Sequence, residues 1–364
     1  MKILLLTPRP NVQGPIPRVT PLLVAALKDL GCQVATAPWG RRHDRESLFD
    51  RVGGRAVDVA RIRRALARQM PDVMVVNTSH DWRALSRDIP LLLATRQRCP
   101  RIALQFHGSL SDRLEAPGNR LFKLASAWLL RLADAALVLS REEQQQWQRF
   151  YPQGDFRVVD NPHLPADERP LTCGRSAWGL PTDRPLLLFV ARLIAEKGIY
   201  DLLQAMPRVL AQMPCHLLVA GSGQEEGRIR HRVAELGLTD HVTLAGYLDE
   251  EQLYTAYRLA DVFVLPTFWS EGFPRAIIEA MDARLPIVTT PLRGMADHLR
   301  HGENAFFVPP RDPAALAETL LYTLARPLLW TTMGEANHEK VKGYAPQAVA
   351  PRYLEMLKEI VARP

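Results

Sequence analysis

The 364-residue sequence predicts an α/β protein built of two doubly wound, Rossmann-like domains, and three observations carry that prediction. Short, near-continuously apolar runs alternate with helix-length stretches, the pattern of parallel strands buried on both faces. The runs fall into two series of six, one on each side of a proline-rich stretch. Length and composition agree, since 364 residues accommodate two ordinary domains and 47% hydrophobic with 23% charged residues is globular rather than disordered.

The first series reads KILLLTP (2–8), QVATA (33–37), DVMVVNT (72–78), RIALQFHG (101–108), AALVLS (135–140) and FRVVDN (156–161). The second reads PLLLFVARL (185–193), CHLLVAGSG (215–223), HVTLAGYL (241–248), DVFVLPT (261–267), PIVTTPL (286–292) and AFFVPP (305–310). Right-handed crossovers between such runs make each series a doubly wound sheet. The stretch 161–185 holds five prolines and little periodicity, and reads as a linker. Beyond the last strand, Tyr353, Leu354, Leu357 and Ile360 recur at helical spacing. The expected division is a first domain over 1–165, a second over 166–345, and a C-terminal helix over 346–364 that crosses back to the first domain.

Net charge is +7 and unevenly shared: residues 1–165 hold 25 Lys+Arg against 15 Asp+Glu, a surplus of 10, while the remainder is at −3. A basic half points to an anionic partner or surface. No basic–aromatic motif accompanies the charge, which argues against nucleic acid. Cys32, Cys99, Cys173 and Cys215 match no zinc or redox spacing and read as reduced thiols. The opening MKILLLTPRP is too short for a signal-peptide core, and no apolar run reaches the length of a membrane span. A cytoplasmic protein is expected.

Parallel open sheets bind ligands outside the carboxyl ends of their strands, so chemistry is sought just after each run. The stretch FVLPTFWSEGFPRAIIEAMDA (263–283) places Glu271 in a loop after a strand and Glu279 inside the following helix, with Gly272 and Pro274 between them. Pro274 suits a first helical turn, where its missing N–H costs nothing, and the amides there favour oxygen acceptors. Taken alone, the plainer readings are that Ser270 or Glu271 caps the helix and that Glu279 lies on an exposed face or makes a structural hydrogen bond.

SEGFPRAIIEA resembles the E-x7-E signature of the retaining, nucleotide-sugar-dependent glycosyltransferases of family 4. These have the GT-B fold, two Rossmann-like domains facing a central cleft. The resemblance covers most of the chain, weakly before residue 100 and strongly from residue 185. It implies that Glu271 contacts hydroxyls of the donor sugar, that Glu279 binds the ribose, and that Gly272, Phe273 and Pro274 line the same pocket. FVARLIAEKG (189–198) matches the family's R-x4-K pair, which assigns Arg192 and Lys197 to a departing diphosphate. AGSGQEEGRIR resembles the loop beside the nucleotide, with Gly221 and Gly223 permitting a sharp turn. TLAGYLDEEQLYTAYRLAD resembles the segment whose backbone, at Gly246, Tyr247 and Leu248, reads the base. Where members commonly carry Gly-Gly-x-x-Glu, this sequence has Gly294 followed by Met295, with Asp297 near the usual acid.

In the basic half, LQFHGSLSDR resembles the family's His-Gly, whose histidine approaches the donor sugar, and so nominates His107. The first loop, TPRPNVQGPIPRVTPLL, has one glycine, Gly14, among Pro8, Pro10, Pro15 and Pro17. Phosphate contact from Gly14 is the family reading; stiffening of an acceptor-side loop is the other.

The reading implied is a retaining hexosyltransferase with His107, Arg192, Lys197 and Glu271 as catalytic residues. It would use a nucleotide diphosphate sugar, UDP favoured over GDP, and an anionic or lipid-linked glycan acceptor. Lipopolysaccharide or exopolysaccharide assembly at the inner face of a membrane fits the charge. No D-x-D-like motif follows a strand, so no metal and no cofactor are expected. Two alternatives stand: a non-hydrolysing nucleotide-sugar epimerase on a similar scaffold, and a non-catalytic binding protein.

Overall fold

A computed structural model describes residues 1–363 except 13, 15, 44–46, 48, 49, 166–170 and 172, with the side chains at 51 and 52 also left out. Part of the expected linker, and Pro15 of the first loop, therefore lie outside the described residues.

Twelve strands form two six-stranded sheets, all of whose strand pairings are parallel. The first contains β1 (Lys2–Thr7), β2 (Gln33–Pro38), β3 (Val73–His80), β4 (Ile102–Ser109), β5 (Ala135–Val138) and β6 (Phe156–Val158), in the order β2-β1-β3-β4-β5-β6. The second contains β7 (Leu186–Val190), β8 (His216–Ala220), β9 (Val242–Gly246), β10 (Val262–Leu265), β11 (Ile287–Thr289) and β12 (Ala305–Phe307), in the order β12-β11-β10-β7-β8-β9. Each apolar run of the sequence yields one strand.

The chain divides into two compact units. One comprises Met1–Leu164, Ser270–Gly272 and Tyr344–Pro364; the other comprises Pro165–Trp269 and Phe273–Gly343. In the first unit, side-chain alternation splits the core cleanly. Leu4, Leu6, Met74, Val76, Leu104 and Phe106 face one layer with Trp39 and Trp147, whereas Ile3, Leu5, Val73, Val75 and Ala103 face the other. That second layer is closed by the helix Ile16–Asp29 and by Tyr353, Leu354, Leu357 and Ile360 of the C-terminal helix Pro346–Ala362. Buried Tyr353 donates its hydroxyl to Gln105 Oε1 at 2.6 Å, and exposed Arg352 pairs with Asp160 at 3.2 Å.

In the second unit, β7 is buried along Leu186–Phe189 and is flanked by the amphipathic helix Ile199–Leu210. Its approach from the linker is pinned by Arg175, which donates to Asp261 Oδ2 at 2.6 Å and to the Leu259 carbonyl at 2.7 Å. Asp261 in turn accepts the Leu186 N–H at 2.7 Å, so the linker's last segment belongs to the second unit's fold.

Candidate functional site

The strand orders locate the crevices before any side chain is considered. In the second sheet the chain runs from β7 through β8 to β9, then returns to place β10 on the other side of β7. The order reverses between β7 and β10, and ligands of open α/β sheets bind at such a reversal. Arg192 and Lys197 follow β7, and the segment with Phe273, Pro274 and Glu279 follows β10. All five lie in one unit, on the segments that leave the two strands of the switch, Glu279 within the helix Arg275–Asp282.

Those loops are bolted together by backbone. The Phe268 N–H donates to the Glu196 carbonyl at 2.9 Å, and Thr267 Oγ1 donates to the same oxygen at 3.2 Å. Gly198, at φ +78°, lies so close to the β10 exit that a Cβ there would sit 2.1 Å from the Pro266 carbonyl oxygen. Lys197 ends the 3₁₀ turn Ala195–Lys197 and is buried, whereas Arg192 is exposed and has no ion-pair partner among the described residues. The β7 and β8 exits interlock as well. Leu193 donates its N–H to the Ser222 carbonyl at 3.0 Å, and a Cβ on Gly221 or Gly223 would meet the Ala191 or Leu193 carbonyl oxygen at 1.9 or 2.3 Å. These glycines are required for close approach rather than for turning alone. The Gly246 carbonyl accepts the Gly221 N–H at 2.7 Å, Tyr247 is exposed and Leu248 is half-buried.

The helix Arg275–Asp282 has Pro274 at its cap position and no side-chain cap. Pro274 takes the cap position, one residue before the first turn in which the sequence placed it, and its ring carries no acceptor. Of the two plainer readings of Glu279, the structure shows the hydrogen-bonded one rather than the exposed face. Its Oε1 accepts from Arg275 Nε at 2.7 Å, and its Oε2 lies 3.1 Å from the hydroxyl of buried Tyr257. Burial, reinforced by the Glu279 charge, holds the Tyr257 hydroxyl well above its usual pKa, so it stays a donor. Met295 is in the core. The backbone that favours glycine falls one residue before Gly294, on buried Arg293 at φ +45°.

In the first sheet the order reverses between β1 and β3. Gly14 lies beyond β1 at φ +143°, exposed and with open space where a Cβ would be. Asn77, near the end of β3, donates its amide N–H to the Leu6 carbonyl of β1 at 2.9 Å. Its Oδ1 is thereby turned outward, and it stands 2.6 Å from His107 Nε2. The orientation of the amide fixes the imidazole: Nε2 carries the proton and donates, leaving Nδ1 as a bare acceptor. Nδ1 is shielded from solvent and has no hydrogen-bond partner among the described residues. Burial pushes the His107 pKa down to about 4, so the ring is neutral at physiological pH. Ser270–Gly272 groups with this unit, and the Gly272 backbone lies against Leu139, 2.3 Å from where a Cβ would stand.

Sequence reasoning passed over Asn77, Tyr257 and the buried Glu225, which accepts from the Tyr200 hydroxyl at 2.6 Å. A readable signal existed for Asn77, a polar amide at the carboxyl end of an otherwise apolar run.

Comparison with known proteins agrees with this architecture. The family described as "Glycosyl transferases group 1" matches residues 174–340, and "Glycosyltransferase Family 4" matches residues 18–163. The lipopolysaccharide core biosynthesis glycosyltransferase LpsE of Rhizobium meliloti is 26% identical over 221 residues, 60% of this chain and 61% of that one. Across four curated relatives the matched stretch spans 24% to 61% of their own length. Sucrose-phosphate synthase from Thermosynechococcus elongatus superposes with a TM-score of 0.80 at 22% identity, covering 99% of both chains. Anabaena HepE, in complex with UDP and glucose, superposes with a TM-score of 0.76 at 18% identity, covering 99% of this chain and 100% of that one. Two family matches that together run from residue 18 to 340, on two parallel Rossmann-like sheets, lead to one statement: the chain belongs to the family-4 type of GT-B glycosyltransferases.

Proposed function

We propose that the protein is a retaining hexosyltransferase that moves a hexosyl unit from a nucleotide diphosphate sugar to a hydroxyl of a glycan or lipid-linked glycan. One observation carries this reading: the Arg192–Lys197 loop and the Phe273–Glu279 segment leave the two strands that flank the second sheet's switch point. Cations and a hydrogen-bonding acid then share the edge where such sheets take nucleotides. UDP is favoured over GDP because a superposable fold, HepE, binds UDP and glucose. A glycan of lipopolysaccharide or exopolysaccharide type is favoured by the role named for LpsE.

In this scheme the bond between the anomeric carbon and the diphosphate oxygen breaks first. Arg192 and Lys197 neutralise the charge growing on the leaving group. The acceptor oxygen bonds to the same face of the sugar, and its proton passes to a phosphate oxygen of the departing diphosphate. Glu271 accepts hydrogen bonds from sugar hydroxyls and Glu279 from the ribose. The bare Nδ1 of His107 accepts a hydrogen bond from a sugar hydroxyl, and the ring stays neutral. Gly14 offers its N–H to phosphate.

A thermal-shift screen with UDP- and GDP-sugars tests the donor: a rise with UDP-sugars above GDP-sugars is expected, and no response to any nucleotide sugar refutes the reading. Incubation of donor alone separates the rival chemistry, since a transferase gives slow hydrolysis and an epimerase gives an isomer. Turnover is expected to persist in chelator, and its loss would overturn metal independence.

A further inference from the structure

The helix Arg120–Arg131 of the first unit, RLFKLASAWLLR, is apolar on two faces. One face is accounted for: Phe122, Leu129 and Leu130 are buried in the core. The other is not. Leu121, Leu124 and Trp128 are exposed to 74%, 67% and 49%. At 3.6 residues per turn these three fall within about 60° of the helix circumference, a continuous stripe rather than scattered residues. Arg120 and Arg131, both exposed, border the stripe on one side within about 40°. The helix contains three cations and no acid. Beside it, exposed Trp82 meets Phe122 edge-on at 5.4 Å between ring centroids and extends the apolar surface.

We propose that this stripe docks the protein on an anionic lipid bilayer, with the helix lying in the plane of the headgroups. Leucine side chains enter the acyl boundary, tryptophans settle at the polar–apolar border, and the flanking arginines meet lipid phosphates. The surplus of 10 positive charges over residues 1–165 adds a long-range attraction to such a surface. Charge favours a bilayer over a protein partner: the stripe is bordered by exposed arginines, and the helix carries three cations and no acid. No helix among the described residues is long and apolar enough to cross a membrane, so the attachment proposed is in-plane.

The proposal concerns where the transferase reading would operate, and it is read without turnover, so either can fail while the other stands. The full chain is sedimented with sucrose-loaded vesicles of pure phosphatidylcholine or of equal phosphatidylcholine and phosphatidylglycerol. Co-sedimentation with the anionic vesicles, weakening as salt rises, is expected. Leu121→Ser with Leu124→Ser should lower the partition coefficient by on the order of tenfold per side chain, and Arg120→Gln with Arg131→Gln by about fivefold per charge. Because all four residues are exposed, the variants should keep the wild-type thermal transition and the wild-type shift with donor. Equal binding to neutral and anionic vesicles, or wild-type binding by the Leu121/Leu124 variant, overturns the proposal. So does failure to bind lipid combined with self-association that the same variant abolishes, which would make the stripe a dimer contact.

Discussion

The two sheets equip their switch points differently. In the second unit the reversal between β7 and β10 is charged, carrying Arg192, Lys197 and Glu279, and its loops are pressed together at Gly198, Gly221 and Gly223 with no room for a methyl group. In the first unit the reversal between β1 and β3 carries a neutral pair, Asn77 and His107, and a glycine surrounded by open space. Rigid loops suit a ligand whose charge and geometry are fixed, because preorganised groups need not rearrange as charge develops. A neutral hydrogen-bonding pair beside open space suits hydroxyls rather than a fixed charge. Within the proposed function, the cations that neutralise the diphosphate belong to the second unit and the neutral His107–Asn77 pair, which meets sugar hydroxyls, belongs to the first.

The largest test is catalytic. Lys197→Ala and Arg192→Ala should each lower kcat by about 10² to 10³-fold, the range typical of losing one group that stabilises developing charge. Steady-state kinetics with a nucleotide sugar measure this. A larger kcat loss in His107→Ala than in either cation variant would break the contrast.

Next comes rigidity. Gly221→Ala forces a methyl group into the Ala191 carbonyl at φ +142° and should cost about 3 kcal/mol or more. Gly14→Ala, with open space around it, should cost only about 1 kcal/mol of backbone strain. Denaturant titration of both variants checks the difference, and equal losses would mean that the two edges are equally tolerant.

The pH dependence sharpens the neutral side. Burial lowers the folded-state pKa of His107 to about 4 and of His80 to about 3, against a usual value of 6.5. Between these limits the unfolded chain binds more protons, so the neutral rings contribute stability that is complete above pH 6.5. It is lost as pH falls toward 4, by about 1.4 kcal/mol per pH unit for each histidine. His107→Gln should remove one share of that slope in unfolding experiments run from pH 7 to 4.5. An unchanged slope would show that His107 titrates alike in both states. The same ring is probed directly by Asn77→Asp. A carboxylate against Nε2 favours the imidazolium and should raise the His107 pKa by about 1 to 3 units, which NMR titration of the ring would follow.

Most of the architecture was legible because parallel strands buried on both faces leave unbroken apolar runs. The runs were drawn too long where loops stay buried: 185–193 includes Leu193, which is in the core but lies past the end of β7. Motif residues were legible where a charge stands beside a strand end, as at Arg192 and Lys197. What escaped depends on pairs distant in sequence. The tautomer of His107 is set by Asn77, thirty residues earlier, and through it by Leu6. One of the two donors on Glu279 is Tyr257, twenty-two residues before it, and the need for glycine at 272 comes from Leu139. Nor does periodicity announce that Ser270–Gly272 groups with the first unit, since three residues are too few to carry a pattern.

The C-terminal helix has a consequence for biogenesis. Residues 344–364 complete the first unit, where Tyr353, Leu357 and Ile360 seal one layer of its core. Domains ordinarily fold in the order in which they leave the ribosome. Here the unit whose synthesis begins first still lacks one wall until the helix Pro346–Ala362 has been made, so the second unit, whose segments all precede that helix, is the first whose sequence is fully available.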